Sequence, residues 1–320
     1  MFDDYELVRC VGRGAMGSVW EARHAASGAR VAIKLLEADL GEPESLRRFA
    51  NEARAAAAIR SKHAVRILEH GVTRDGKPFI VMELLEGESL DARLARVGRL
   101  SLVETSLVVG QASAALKEAH DQGIVHRDLK PENVFLAREG DREVVKIVDF
   151  GVAKIRGRGA LDASARTRTG TVLGTPYYMA PEQARGLREA DHRADVWSLG
   201  VVAYECVVGR VPFDADTVGS LLVEICTAPI PVPSRVDPTV PKAFDGWFAR
   251  AVARDPNDRF ANVADLAGAL EGLARCDGTA ATQPMLAANR SARRGTFLAL
   301  LVASFAVTFA ALATAHSFWH

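Results

Sequence analysis

Apolar residues fall in short runs over about the first 85 positions and then recur at helical spacing, so the chain changes period once along its length. Residues 5–11, 31–34, 65–71 and 78–84 are apolar runs bounded by glycine and polar residues, and are predicted strands. The last two are joined through Asp75-Gly76, a turn pair. Residues 44–60 interrupt them with an alanine-rich stretch that carries glutamate and arginine on one side, a predicted helix. From Ser89 onward the pattern is helical. Residues 101–122 form the longest such stretch and stop at Gly123. Further helices are predicted over residues 195–208 and near 215–227, 241–254 and 262–274. Two small apolar segments, 124–125 and 134–136, pin a polar loop between them, and 144–148 reads as one more strand. A strand-rich first part followed by a helix-rich remainder predicts an α+β molecule with two lobes and a cleft between them.

The pattern changes again in the tail. Residues 276–294 are small, polar and basic at their end, as a linker would be. Residues 297–315 carry no charged side chain, and their length meets the roughly 20 residues that span a bilayer as a helix. Arg290, Arg293 and Arg294 precede this stretch, and His316 and His320 follow it. Basic residues favour the cytoplasmic side, so the expectation is one transmembrane helix at 296–315 in the inner (cell) membrane. The folded part would then be cytoplasmic, and 316–320 would be a short tail outside. Ala299 and Ala303, then Ala306 and Ala310, lie four apart and offer small surfaces for two spans to meet.

Composition narrows the reading. Lysine plus arginine total 40 and aspartate plus glutamate total 40, so no charge excess argues for nucleic acid. Cys10, Cys206, Cys226 and Cys276 form no close pair, which disfavours a disulfide framework or a cysteine metal site. The acidic start, Met1-Phe2-Asp3-Asp4-Tyr5, does not resemble a signal peptide.

The chemistry concentrates in a few strings. His126-Arg127-Asp128-Leu129-Lys130-Pro131-Glu132-Asn133 places a carboxylate, a lysine and an amide in one loop. The strand at 144–148 ends in Asp149-Phe150-Gly151, a second carboxylate suited to a metal. Upstream, Gly12-Arg13-Gly14-Ala15-Met16-Gly17-Ser18-Val19 lies between strands, and glycines there let backbone N–H groups approach phosphate oxygens. Val31-Ala32-Ile33-Lys34 follows, an apolar strand with one lysine that faces either solvent or an anion.

Together these strings resemble serine/threonine protein kinases over residues 5–274, and Gly174 through Ala184 resembles bacterial members of that class. The resemblance implies a two-lobed kinase fold, with residues 5–85 and 86–274 as its lobes, a juxtamembrane linker at 275–295, and ATP with Mg2+ (or Mn2+) as cofactors. It implies that Gly12, Gly14, Gly17, Val19, Ala32, Glu83 and Leu85 bind the nucleotide, with Met82 behind them. Lys34, held by Glu52, would pair with the α- and β-phosphates. Asp128 would take or orient the substrate hydroxyl proton, Lys130 would neutralise the γ-phosphate, and Asn133 and Asp149 would hold the metal. Arg259 would pair with Glu182 of Ala180-Pro181-Glu182. Thr167 and Thr169 are the expected regulatory phosphosites, and Thr175 is expected to position substrate. Arg60 through Val65 departs from the family's usual turn at that place. The implied partners are protein substrates, ATP, the membrane, and a second copy of the chain for phosphorylation in trans. The alternative is a catalytically silent scaffold; such chains usually lack the lysine or one of the aspartates, and Lys34, Asp128 and Asp149 are all present.

Overall fold

The computed structural model describes residues 4–14, 17–36, 43–150, 176–187 and 190–276. The expected phosphosites Thr167 and Thr169, Thr175, and the expected span and tail at 296–320 lie outside the described residues.

The strand-rich part is a five-stranded antiparallel sheet. In chain order its strands are β1 (Tyr5–Gly14), β2 (Gly17–His24), β3 (Arg30–Leu36), β4 (Ile67–Val72) and β5 (Pro78–Glu83), and they lie side by side as β1-β2-β3-β5-β4. The central β3 reads Arg-Val-Ala-Ile-Lys-Leu-Leu and is buried along most of its length. A nearly continuous apolar run suits a strand covered on both faces. The edges meet as well, because the Tyr5 hydroxyl donates to the Glu69 carboxylate at 2.8 Å. Between β3 and β4 lies α1 (Pro43–Ala58), whose Phe49 and Ala53 pack on Leu36 and Ile80 of the sheet.

The helical part is built around α3 (Leu102–Asp121) and α5 (Arg193–Val208). A capping box starts α3: the Ser101 hydroxyl accepts from the Glu104 N–H, and the Glu104 carboxylate accepts from the Ser101 N–H. Gly123, at φ 73°, follows its last turn, as expected for a stop. By contrast, α5 is apolar all round and buried on nearly every side, which is the signature of a central core helix. Trp197, Tyr204 and Leu199 on it join one large core with Leu116, Leu129, Ile147, Phe244 and Phe248. The remaining helices are α2 (Leu90–Val97), α4 (Pro181–Ala184), α6 (Val218–Thr227), α7 (Pro233–Val236), α8 (Ala243–Ala251) and α9 (Val263–Cys276).

Between the two parts lies a small sheet, β6-β7-β8, made of Gly87–Ser89, Val134–Glu139 and Arg142–Ile147. The hydrophobic pattern foretold β7 and β8 but not β6, which is three residues long and too short to show a period. The helical pattern expected from Ser89 onward opens with α2, whose N-cap hydroxyl, Ser89, accepts from the Ala92 N–H at 3.1 Å. Helix ends otherwise fall within a few residues of the predicted ones.

A buried ion pair closes the helical part. Arg259 gives two parallel hydrogen bonds to Glu182, at 2.8 and 2.7 Å, as the resemblance implied. Its other N–H groups reach the carbonyls of Ala253 and Arg193, so the buried guanidinium is satisfied on all sides.

Candidate active site

The glycine strings make the roof of the cleft. β1 and β2 pair up to Gly14 and Gly17, and Gly17 also pairs with Leu36 of β3. Gly17 has φ 139°, and a side chain there would collide with the Leu35 carbonyl at 1.9 Å, so only glycine fits. Gly12 and Gly14 differ: a Cβ at either would meet nothing within 4 Å. Packing inside the protein therefore does not demand those two glycines.

Beneath the roof, Ala32, Val65 and Met82 form a small apolar cluster, with Val19, Leu84, Leu85 and Val148 packed on it. Four residues expected from the resemblance, Val19, Ala32, Met82 and Leu85, are thus brought to one wall. Glu83 sits at the end of β5, where its N–H donates to the Arg66 carbonyl at 3.0 Å. Its carboxylate accepts from the Arg66 N–H at 2.9 Å and from the Lys146 ammonium at 3.0 Å. That role for the Glu83 side chain carried no signal in the sequence.

Lys34 lies in β3 opposite Val19 and Ile80 and is only 7 % exposed. Its ammonium stands 2.6 Å from the Asp149 carboxylate. Glu52, the partner that the resemblance implies for Lys34, lies half-buried on α1.

The loop that carries Asp128 is held by Asp195, at the start of α5. This fully buried carboxylate accepts the N–H groups of His126 and Arg127, each at 2.8 Å, and a bond from His120 Nε2, also at 2.8 Å. Burial pushes its pKa up, but the hydrogen bond from His120 and the nearby imidazoles outweigh that and leave it below the ordinary value. Asp195 therefore stays an anion inside the core. It steadies a strained backbone, for Arg127 has φ 66°. Gln183 adds a bond to the Arg127 carbonyl at 2.9 Å. Sequence reasoning saw Asp195 only as the opening of a helix.

His126 then spans both loops. Its Nδ1 accepts from the Asp128 N–H at 3.3 Å and its Nε2 donates to the Val148 carbonyl at 3.1 Å, which assigns the proton to Nε2. Its ring packs edge-on against Phe150 at 5.2 Å. Asn133 binds the same pieces together. Its side-chain amide donates to the Asp128 carbonyl at 2.8 Å, and its own carbonyl accepts from the Val148 N–H at 3.0 Å. The Lys130 ammonium lies 3.1 Å from the Asp128 carboxylate. The Asp128 and Asp149 carboxylates are both partly exposed, each beside a lysine ammonium.

With its amide nitrogen committed to Asp128, Asn133 keeps its side-chain oxygen for a cation, and Asp149 offers carboxylate oxygens one strand away. Hard oxygen donors next to an open glycine roof fit Mg2+ and a polyphosphate.

The Protein kinase domain family matches residues 5–265 of the chain. The serine/threonine-protein kinase PknH of Mycobacterium bovis is 38% identical over 298 residues, covering 92% of this chain and 48% of that protein. The serine/threonine-protein kinase Pkn1 of Myxococcus xanthus is 42% identical over 270 residues, covering 83% of this chain and 38% of that protein. The chain thus spans half or less of the length of these relatives. Among solved structures, the kinase domain of Mycobacterium tuberculosis PknI superposes with a TM-score of 0.68 at 29% identity, over 86% of this chain and 97% of that one.

Proposed function

The chain belongs to the protein kinase domain family, and from that premise we propose that it transfers the γ-phosphate of ATP to serine and threonine hydroxyls of proteins. The observation that carries this is the convergence of Lys34, Asp128, Lys130, Asn133 and Asp149 on one cleft beneath the glycine roof. Phosphoryl transfer asks for positioning and for neutralisation of charge, and each of these residues supplies one or the other. The backbone N–H groups of the hairpin containing Gly12, Gly14 and Gly17 cradle the phosphates. Val19, Ala32 and Leu85 hold the adenine, with the backbone of Glu83 and Leu85 at its edge. Lys34 moves between Asp149 and the α- and β-phosphates, and Glu52 steadies it there. Asn133 and Asp149 hold Mg2+, or Mn2+ in its place, which when bound neutralises charge on the phosphate oxygens. Asp128 orients the incoming hydroxyl and takes its proton, and Lys130 balances charge on the transferred group.

Regulation and location extend the same reading. Phosphorylation of Thr167 or Thr169, in trans between two copies, would place about −1.5 to −2 charges near Arg127. Arg127 supports this because its Nε is buried with no hydrogen-bond partner among the described residues. Thr175 would position substrate beside Asp128 and Lys130. Residues 296–315 would anchor the chain in the inner membrane with the kinase domain on the cytoplasmic side. The test is incubation of the purified chain with Mg2+, γ-labelled ATP and a generic basic protein, alongside the Thr167→Ala, Thr169→Ala double variant. Label on serine and threonine of the substrate, strongly reduced in the double variant, is expected. No label despite bound nucleotide would favour a silent scaffold, and full activity in the double variant would remove the phosphosite switch.

A further inference from the structure

The stretch between α1 and β4 belongs by chain order to the strand-rich lobe, yet its polar groups bond to the helical one. Arg60 N–H donates to the Glu118 carboxylate of α3 at 2.6 Å. The reason lies in β8. It pairs with β7 along one side only, so the N–H and C=O groups on its other edge need partners. Val145 N–H finds the Gln111 side chain of α3 at 2.9 Å. Ile147 N–H donates to the His63 carbonyl at 2.7 Å, and the Ile147 carbonyl accepts from Val65 N–H at 2.9 Å. The Val145 carbonyl takes the ring of His63, Nδ1 to O at 2.9 Å. A carbonyl only accepts, so His63 carries its proton on Nδ1.

Two of the four bonds on that edge therefore come from one residue, which is only 8 % exposed. They grip β8 at positions two apart, on the same side of the strand. The second grip, Ile147, lies two residues before Asp149. Lys146, between them, reaches away to Glu83 at 3.0 Å and Glu139 at 3.4 Å. His63 thus stands where the end of α1, the strand leading to Asp149 and the wall at Glu83 are joined.

We propose that His63 is a positioning residue for metal-nucleotide binding: by saturating the free edge of β8 it fixes the place of Asp149 relative to Lys34 and Glu83. This rests on the phosphoryl-transfer reading above. His63→Leu leaves the buried Val145 carbonyl without a donor and removes one of the two grips. His63→Asn keeps an amide N–H near the position of Nδ1.

The experiment is calorimetric titration of the wild type and both variants with ADP, with and without Mg2+, joined to amide hydrogen exchange at Ile147. In the leucine variant, affinity for MgADP should fall about tenfold, the scale of one buried hydrogen bond left unmade. Its affinity for metal-free ADP should stay as in the wild type, and exchange at Ile147 should quicken. The asparagine variant should recover both. General damage to the fold would instead lower the two affinities equally or reduce only the fraction of protein that binds. Unchanged MgADP affinity in the leucine variant, an equal loss with and without Mg2+, or no recovery with asparagine would each overturn the role of His63. A wild-type chain that binds no MgADP would overturn the phosphoryl-transfer reading itself, so the two failures are distinguishable.

Discussion

At the scale of residues, the site depends on buried polar groups that have no freedom to relax. Asp195 is the clearest case. Replacing it with asparagine removes the charge that two backbone N–H groups and His120 face. Hydrogen bonds to a charged group contribute about 1.5–3 kcal/mol each, so Asp195→Asn should destabilise the domain by roughly 3 kcal/mol in urea unfolding. It should also slow phosphoryl transfer, because Arg127 at φ 66° loses what holds it. The pH dependence has a definite sign. The folded pKa of Asp195 is lowered, so its contribution is complete above the unfolded value of about 3.9 and is lost as pH falls through the folded one. The asparagine variant should therefore lack part of the acid-induced loss of stability. An unchanged urea midpoint in Asp195→Asn would rule out this role for the buried carboxylate.

At the scale of elements, the sequence was legible where the chemistry is local and opaque where it is not. Asp128, Lys130 and Asn133 share one loop and Asp149 follows β8, so short strings carried the resemblance that implied a common site for them. The glycine hairpin was equally plain. His63 and Val145 are 82 positions apart, Glu83 and Lys146 are 63 apart, and Asp195 meets His126 across 69. None of these pairs leaves a periodic or compositional trace. The strand β6 escaped because three residues cannot show alternation. A further element, 296–315, carries its own prediction. α9 ends at Cys276 and the family match at residue 265, and the uncharged stretch at 297–315 lies outside the described residues. Deleting residues 296–320 should move the protein from the membrane pellet to the supernatant with its kinase activity intact. A truncated chain that still sediments with membranes would count against the anchor. Among the described residues no helix is long and apolar enough to cross a membrane.

At the scale of the whole molecule, the two lobes divide the labour. The sheet brings Lys34 and the glycine roof, the helical part brings Asp128 and Asn133, and β8 carries Asp149 along their boundary. The buried pair of Glu182 with Arg259 and the core around Trp197 keep the helical lobe rigid beneath the loop. In the proposed mechanism, holding the nucleotide is separate from using it, and Asp128 belongs to the second task. That division can be read by comparing wild type with Asp128→Asn for two quantities, the affinity for MgADP and the rate of label transfer from ATP. Affinity should be unchanged and transfer reduced at least about a hundredfold, the scale of one lost general base. Transfer at the wild-type rate in Asp128→Asn would show that the carboxylate has no part in the reaction.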